Sequence, residues 1–252
     1  MDSDAYNRQF LKSGDWNEWA KTETDQRKGI PVPAPQEPYP QDAPLIDLVV
    51  PEHLSVGQMP LIEAIRKRRS HRRYTSKPLS LEELSFLLWA TQGVRESVTQ
   101  KGEFVRVYRT APSGGARHPF ETYLLVRRVE GLDPGLYRYL SLEHKLLLLD
   151  GSQELTGPVH EAARRQMVKD SAVVFIWTAV PYRTEWRYAK RSAKIIAQDS
   201  GHLCQNLYLA CEAINAGTCA IGAYNQDQID AILGVDGQEE FTIYLATVGK
   251  IA

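Results

Sequence analysis

Two short stretches of this chain carry residue types suited to binding more than to packing. Ile65–Tyr74 reads Ile-Arg-Lys-Arg-Arg-Ser-His-Arg-Arg-Tyr, six basic residues in ten, in a chain whose formal net charge is only -1. Such a block must face water or an anion, because burying it unpaired is prohibitive. Two or three guanidiniums can grip one phosphate, since each offers a bidentate donor fork, and Ser70 adds a hydroxyl. In a helix over 59–69, Arg66 and Arg69 share one face while Arg68 and Arg72 lie near another, so they do not all converge. The second stretch is Pro112-Ser113-Gly114-Gly115-Ala116. Adjacent glycines let backbone N–H groups come close to a ring that bears several acceptors. Taken singly, the first stretch is equally a solvated charge block or a nucleic-acid patch, and the second an ordinary turn.

Other chemistries find little support. No Gly-x-Gly-x-x-Gly follows a strand and no Gly-x-x-x-x-Gly-Lys-Ser/Thr occurs, which removes dinucleotide and P-loop readings. There is no Gly-x-Ser-x-Gly elbow and no His-Glu-x-x-His. Cys204, Cys211 and Cys219 have no metal-ligand spacing, so no metal site is expected and the thiols read as buried and reduced. Cys219–Ala223 is small and apolar and could lie flat against an aromatic ring, and Lys250 near the C-terminus could add charge to a phosphate.

The elements that must position these residues follow from periodicity. Residues 30–51 hold seven prolines and read as an extended arm, with Leu45–Val50 docking it on a surface, that of a second subunit included. The division expected is an arm over 1–58 and one domain over 59–252. Pro60 opens a helix that runs into the basic cluster. Ser80-Leu81-Glu82-Glu83 is a capping box for a helix closing near Gly93. Strands are expected at Arg106–Thr110, Phe120–Val129, Ala172–Val180, Cys219–Ala223 and Phe241–Val248, with a hairpin of Gly135–Leu140 and Lys145–Leu149. Helices are expected at Gly157–Val168 and, capped by Asn225, at Gln226–Leu233. Ala193, Ile196, Ser200, Leu203, Leu207, Ala210 and Ile214 alternate by three and four, the mark of a long helix with a narrow seam ended by Gly217. The sum is an α+β fold around a long central helix. The near-neutral charge argues against a general nucleic-acid or membrane-surface binder. Met1–Phe10 shows no apolar signal region and no run approaches membrane-span length, so a cytoplasmic location is expected.

The order of the pieces says more than any one. Arg68-Arg69-Ser70-His71-Arg72-Arg73-Tyr74, Leu79–Leu84 and Leu88-Trp89-Ala90-Thr91-Gln92-Gly93 resemble the opening of the nitroreductase superfamily. With Arg109–Glu121 (Arg-Thr-Ala-Pro-Ser-Gly-Gly-Ala-Arg-His-Pro-Phe-Glu), Gly135-Leu136-Tyr137, Asp199–His202 and Gln205–Ala210, the chain is similar to the SagB-type dehydrogenase branch, over about Met59 to Lys250.

That resemblance implies a mostly antiparallel sheet flanked by helices and FMN held without a covalent bond between the subunits of a homodimer. Arg68, Arg69, Ser70 and Arg72 would hold the phosphate and ribityl end. Pro112, Ser113, Gly114 and Gly115 would meet the isoalloxazine from the other subunit, Ile221 and Gly222 would lie along the ring, and Lys250 near the phosphate. The Ala193–Ile214 helix becomes the dimer-interface helix. The implied activity is ping-pong hydride transfer through flavin N5, from NAD(P)H or another small donor to a nitro compound, quinone or similar acceptor. Azoline-oxidising members carry Lys-Tyr just before the long helix, where this chain has Arg187-Tyr188. Arg cannot readily serve as a base, which leaves Tyr188, with His118 as a substrate contact. Azoline dehydrogenation in peptide modification, and flavin or partner binding without turnover, are the alternatives.

Overall fold

The computed structural model describes residue 8 and residues 10–252, so most of Met1–Phe10, and with it the reading of a missing signal region, lies outside the described residues. In chain order come helix α1 (Trp16–Lys21), strand β1 (Leu45–Asp47), helices α2 (Leu61–Lys67) and α3 (Leu81–Gln92), and strands β2 (Val94–Gln100) and β3 (Glu103–Arg109). Next are β4 (Phe120–Val126), β5 (Gly135–Leu140), β6 (Lys145–Asp150), α4 (Thr156–Ala162), β7 (Val173–Ala179) and α5 (Tyr182–Tyr188). The long helix α6 (Ser192–Ala213), β8 (Ala216–Ile221), α7 (Gln226–Leu233) and β9 (Phe241–Lys250) follow.

Among the described residues the main sheet has seven strands in the order β1-β6-β5-β4-β7-β9-β8, every pairing antiparallel. β4 and β7 are buried along their whole length, because both faces of the sheet are covered. Alternate residues go to opposite cores. Leu124, Phe175 and Trp177 pack with Leu84, Leu88, Leu203 and Leu207 of α3 and α6. Tyr123, Leu125, Val174 and Ile176 pack with Val159 of α4 and with Ile229 and Leu233 of α7. This is the α+β architecture expected, with the long helix against one face. Ser80 caps α3 as its sequence requires: its Oγ accepts from the Glu83 N–H at 3.1 Å, and the Glu83 carboxylate accepts from the Ser80 N–H at 2.9 Å.

Several boundaries differ from expectation. The helix expected over 157–168 stops at Ala162, because Arg164 and Arg165 take left-handed backbone conformations (φ 53° and 59°) that no helix tolerates. The strand expected at 219–223 is shifted to 216–221, in register with β9. β2 pairs with β3 as a separate two-stranded ribbon. The proline-rich arm docks on its own chain. Leu45–Asp47 adds an edge strand to β6, and Asp47 pairs with Lys145 at 2.9 Å. Arg183 and Arg138 hold Glu37 and Pro38, and the Trp186 indole donates to the Ile30 carbonyl at 2.9 Å. Among the described residues no helix is long and apolar enough to cross a membrane.

Candidate active site

The basic stretch leaves α2 and crosses the β8–β9 edge. Gly217 and Gly249 face each other in that pair, and a Cβ on either would lie 2.6 Å from His71 or 2.8 Å from Tyr74. The two glycines are what lets the stretch lie flat on the sheet. The His71 N–H then donates to the Thr218 carbonyl at 2.9 Å, and the Tyr74 hydroxyl to the His71 carbonyl at 2.8 Å. Ser70 Oγ lies 2.9 Å from the Tyr208 hydroxyl of α6, which accepts the Ala220 N–H at 3.0 Å. The Arg68 guanidinium stacks over the Tyr208 ring at 5.3 Å. The Arg69 N–H donates to Glu212 at 3.3 Å, and its side chain points to solvent. Arg72 is exposed, with one weak donation to the Ser70 carbonyl at 3.4 Å. No described carboxylate lies within ion-pair distance of Arg68 or Arg72. Gly222 follows at the end of β8, exposed and with open space where a Cβ would be.

Two expected members of this group sit differently. The Ile221 side chain is buried against α4 and α7, so only its backbone faces this side. The Lys250 ammonium is taken up by the Glu83 carboxylate and donates to the Ile214 carbonyl at 2.9 Å. It ties the start of α3 to the end of α6, and its charge is already compensated there.

The glycine loop lies at the other end of α6. The Gly114 N–H donates to Asp199 Oδ2 at 3.0 Å, and the His118 N–H to Ser113 Oγ at 2.9 Å. Burial pushes the Asp199 carboxyl above its usual range, opposed by the hydrogen bonds it accepts from Ser113 and Gly114. A Cβ on Gly114 would lie 2.4 Å from Ile195 Cγ2, and one on Gly115 2.7 Å from the Tyr188 hydroxyl. The missing side chains thus first serve contact with α5 and α6. Gly115, Ala116 and His118 all have positive φ (61°, 53° and 45°), a concentration of backbone strain held by these contacts. His118 is buried beside Arg109 and Arg117. Burial, then these two cations, pushes its imidazole down to about 3, so it is neutral at physiological pH.

Tyr188 stacks on Trp19 at 6.0 Å and meets Trp16 edge-on at 6.4 Å. Arg187 lies beside it and donates to Gln26 Oε1 at 3.1 Å. Sequence reasoning names Arg187 and Tyr188 from one stretch and His118 from another, and all three lie at the glycine loop. It missed Asp199, Tyr208 and the N-terminal Trp16, Trp19 and Gln26. Asp199 opens the Asp199–His202 stretch, but nothing in its neighbours marks a carboxylate that caps a loop 85 residues away.

The two groups are not brought together within one chain. Asp199 and Tyr208 are nine positions apart on α6, about 13 Å along its axis.

Residues 65–250 match the model of the nitroreductase family. A protein of Methanocaldococcus jannaschii named for the nitroreductases is 35% identical over 201 residues, 77% of this chain and 95% of its own length. A Rhizobium leguminosarum protein named for trifolitoxin processing is 26% identical over 163 residues, 63% of this chain and 44% of its own. A Ralstonia eutropha structure also named for the nitroreductases aligns with a TM-score of 0.63 at 27% identity, covering 88% of this chain and 97% of that one. A Desulfovibrio desulfuricans structure of that name, in complex with FMN, aligns at 0.53 and 19% identity, over 77% of this chain and 88% of that one.

Proposed function

The chain belongs to the nitroreductase family, and on that premise we propose that this oxidoreductase is FMN-dependent and works as a homodimer. It takes electrons from NADH, NADPH or another reduced donor and passes them to a small organic acceptor such as a nitro compound or quinone. The observation that carries this reading is the split site. Arg68 and Arg72 hold uncompensated charge beside the Ser70 hydroxyl and the open edge at Gly222, while the strained glycine loop stands at the far end of α6. Each group is half of a site, and a second copy of the chain supplies the other half. Helix α2, which carries the basic stretch, buries only Ala64 and exposes Leu61 (64%), Ile62 (57%) and Ile65 (57%), an apolar face that such a second copy would cover.

The residues present fit FMN. Arg68 and Arg72 would hold the phosphate, with Ser70 donating at the ribityl end. Ile221 and Gly222 would offer backbone at the ring edge, and Pro112, Ser113, Gly114 and Gly115 would close on it from the other subunit. Arg69 would add positive potential from the surface. Lys250 would contribute by holding α3 to α6, since its charge is engaged. When bound, FMN supplies hydride transfer at N5 in two alternating half-reactions. The chain's own part is orientation and electrostatics. Neutral His118 can hold a hydrogen bond to substrate without adding charge, and the Tyr188 phenol, backed by Trp16 and Trp19, stands over Gly115 as the group able to hold or release a proton. Arg187 orients beside it.

A second reading, azoline oxidation in a modified peptide, draws support from the Rhizobium relative named for trifolitoxin processing. With Arg187 engaged by Gln26, only Tyr188 would handle protons there. Anaerobic titration of the purified protein with NADH and NADPH separates the readings. Bleaching of the visible flavin band by either nucleotide is expected, and no bleaching by either would overturn the nicotinamide-driven reaction.

A further inference from the structure

Next to the glycine loop lies a cavity of about 450 Å³, within the size range of small-molecule sites. Four guanidiniums line it: Arg95 on β2, Arg106 and Arg109 on β3, and Arg187 on α5. No described carboxylate lies within ion-pair distance of any of them. Glu121, the buried acid whose charge reaches Arg109, is held by Arg183 at 2.7 Å. Arg109 is the most telling of the four. It is buried and donates to two neutral acceptors, Gln92 Oε1 at 3.1 Å and the Pro35 carbonyl at 2.8 Å, while its Nε has no partner. The Nε of Arg187 is likewise buried without a partner. Burial, opposed by the charge of Glu121, pushes Arg109 down to about 10, so it stays charged at physiological pH. Buried cationic charge without a counter-ion is costly, and a bound anion is what compensates it. Tyr108, Ala111, Pro112 and Ala116 give the rest of the wall an apolar part, beside the polar Ser113 and His118.

We propose that this cavity recognises a small organic oxyanion, a carboxylate or phosphate carried on an apolar body, held by Arg95, Arg106, Arg109 and Arg187. The inference deepens the reading of a flavin oxidoreductase by assigning the charge class of the molecule brought to the glycine loop. The anion could belong to the acceptor, as a carboxylate, or to a nucleotide donor, as its phosphates. The oxyanion end would sit among the four cations, and the apolar body would lie against Tyr108, Ala111 and Pro112, with Ser113 and His118 at its edge. Recruitment of the β2–β3 ribbon explains why two of its exposed residues, Arg95 and Arg106, face the same space as the buried Arg109.

The test is isothermal titration calorimetry of the purified full chain with benzoate, benzamide and ADP. Benzoate and benzamide have nearly the same shape and differ in charge. Benzoate is expected to bind at least about tenfold more tightly than benzamide, the worth of one charge-assisted pair. If the phosphates of a nucleotide are the ligand, ADP binds and benzoate does not. Either preference is expected to fall at least about tenfold in Arg95→Gln/Arg106→Gln. These side chains are exposed, and an unchanged melting temperature verifies that the variant is folded. Equal binding of benzoate and benzamide without ADP binding, or an anion affinity unchanged in the variant, would overturn the proposal. The colour of the protein is read separately. A colourless protein that prefers benzoate removes the flavin reading and leaves the anion site, and a yellow protein with no anion preference does the reverse.

Discussion

Glu121 closes a buried cluster that joins the arm to the body, and its removal is the most sensitive probe of that join. Its carboxylate is 3% exposed, accepts from Arg183 Nη2 at 2.7 Å, and accepts the Glu37 backbone N–H at 3.0 Å. Arg183 is 2% exposed, and its only other ion-pair partner among the described residues is Glu37, at 3.0 Å. Arg109 also lies within the field of Glu121. Glu121→Ala therefore leaves the buried Arg183 guanidinium with the half-exposed Glu37 as its one carboxylate partner among the described residues and strips the arm of an acceptor. Breaking a buried pair in this way costs about 3–5 kcal/mol. For a chain of this length, at roughly 2–4 °C per kcal/mol, the melting temperature falls by about 6–20 °C. Glu37→Ala removes a partner whose side chain is 34% exposed and which water can replace, so its cost is about 1 kcal/mol or less. Calorimetric or circular-dichroism melts at neutral pH compare the two. If Glu121→Ala melts within about 3 °C of the parent, or if Glu37→Ala costs as much, the cluster does not carry the charge balance described here.

Acid sensitivity should trace in part to His118. Its folded imidazole is pushed down to about 3 from an ordinary 6.5. Between those values the unfolded chain binds the extra proton, so stability rises with pH through that window and is lost on acidification. Urea denaturation at pH 7.5 and pH 5 should show His118→Gln losing less than the parent, by up to about 2 kcal/mol. Gly114→Ala drives a methyl into Ile195 and should cost about 1–3 kcal/mol in thermal melts. Ile195→Ala in the same chain should recover part of that loss. The thiols of Cys204 and Cys211 are buried, and burial pushes Cys204 up to about 12 and Cys211 well above its ordinary range. An aromatic disulfide reagent should leave both unmodified in the native protein and react as the chain unfolds in urea.

What could be seen in the sequence was what neighbours along the chain decide. The Ser80–Glu83 box, the seam of the long helix and the Asn225 cap are local patterns, and each appears where expected. The unbroken apolar run of β7 announced a strand covered on both faces. Val94–Gln100 gave no such sign, since its exposed residues pair only with β3 and bury almost nothing. The end of α4 was equally hidden, because two arginines in left-handed conformations look like any helical pair in sequence.

The candidate site shows the same division. Arg68, Ser70, Arg72 and the glycine pair could be named from residue type and order. The fates of Lys250 and Arg109 could not. Lys250 is claimed by Glu83, 167 positions away, and Arg109 by the Pro35 carbonyl, 74 positions away. That the arm docks was legible in its apolar end at Leu45–Val50, but the surface it docks on was not, because its anchors, among them Glu37 to Arg183 and Ile30 to Trp186, are contacts with residues far along the chain.

Whether FMN sits at Arg68 is read most simply from the absorbance spectrum of the purified protein. The purified protein is expected to be yellow, with a bound flavin that phosphatase-treated FMN cannot replace, and Arg68→Ala is expected to lose nearly all of that flavin. A colourless protein that takes up no added FMN, or an Arg68→Ala variant that keeps its colour, would contradict FMN binding at Arg68.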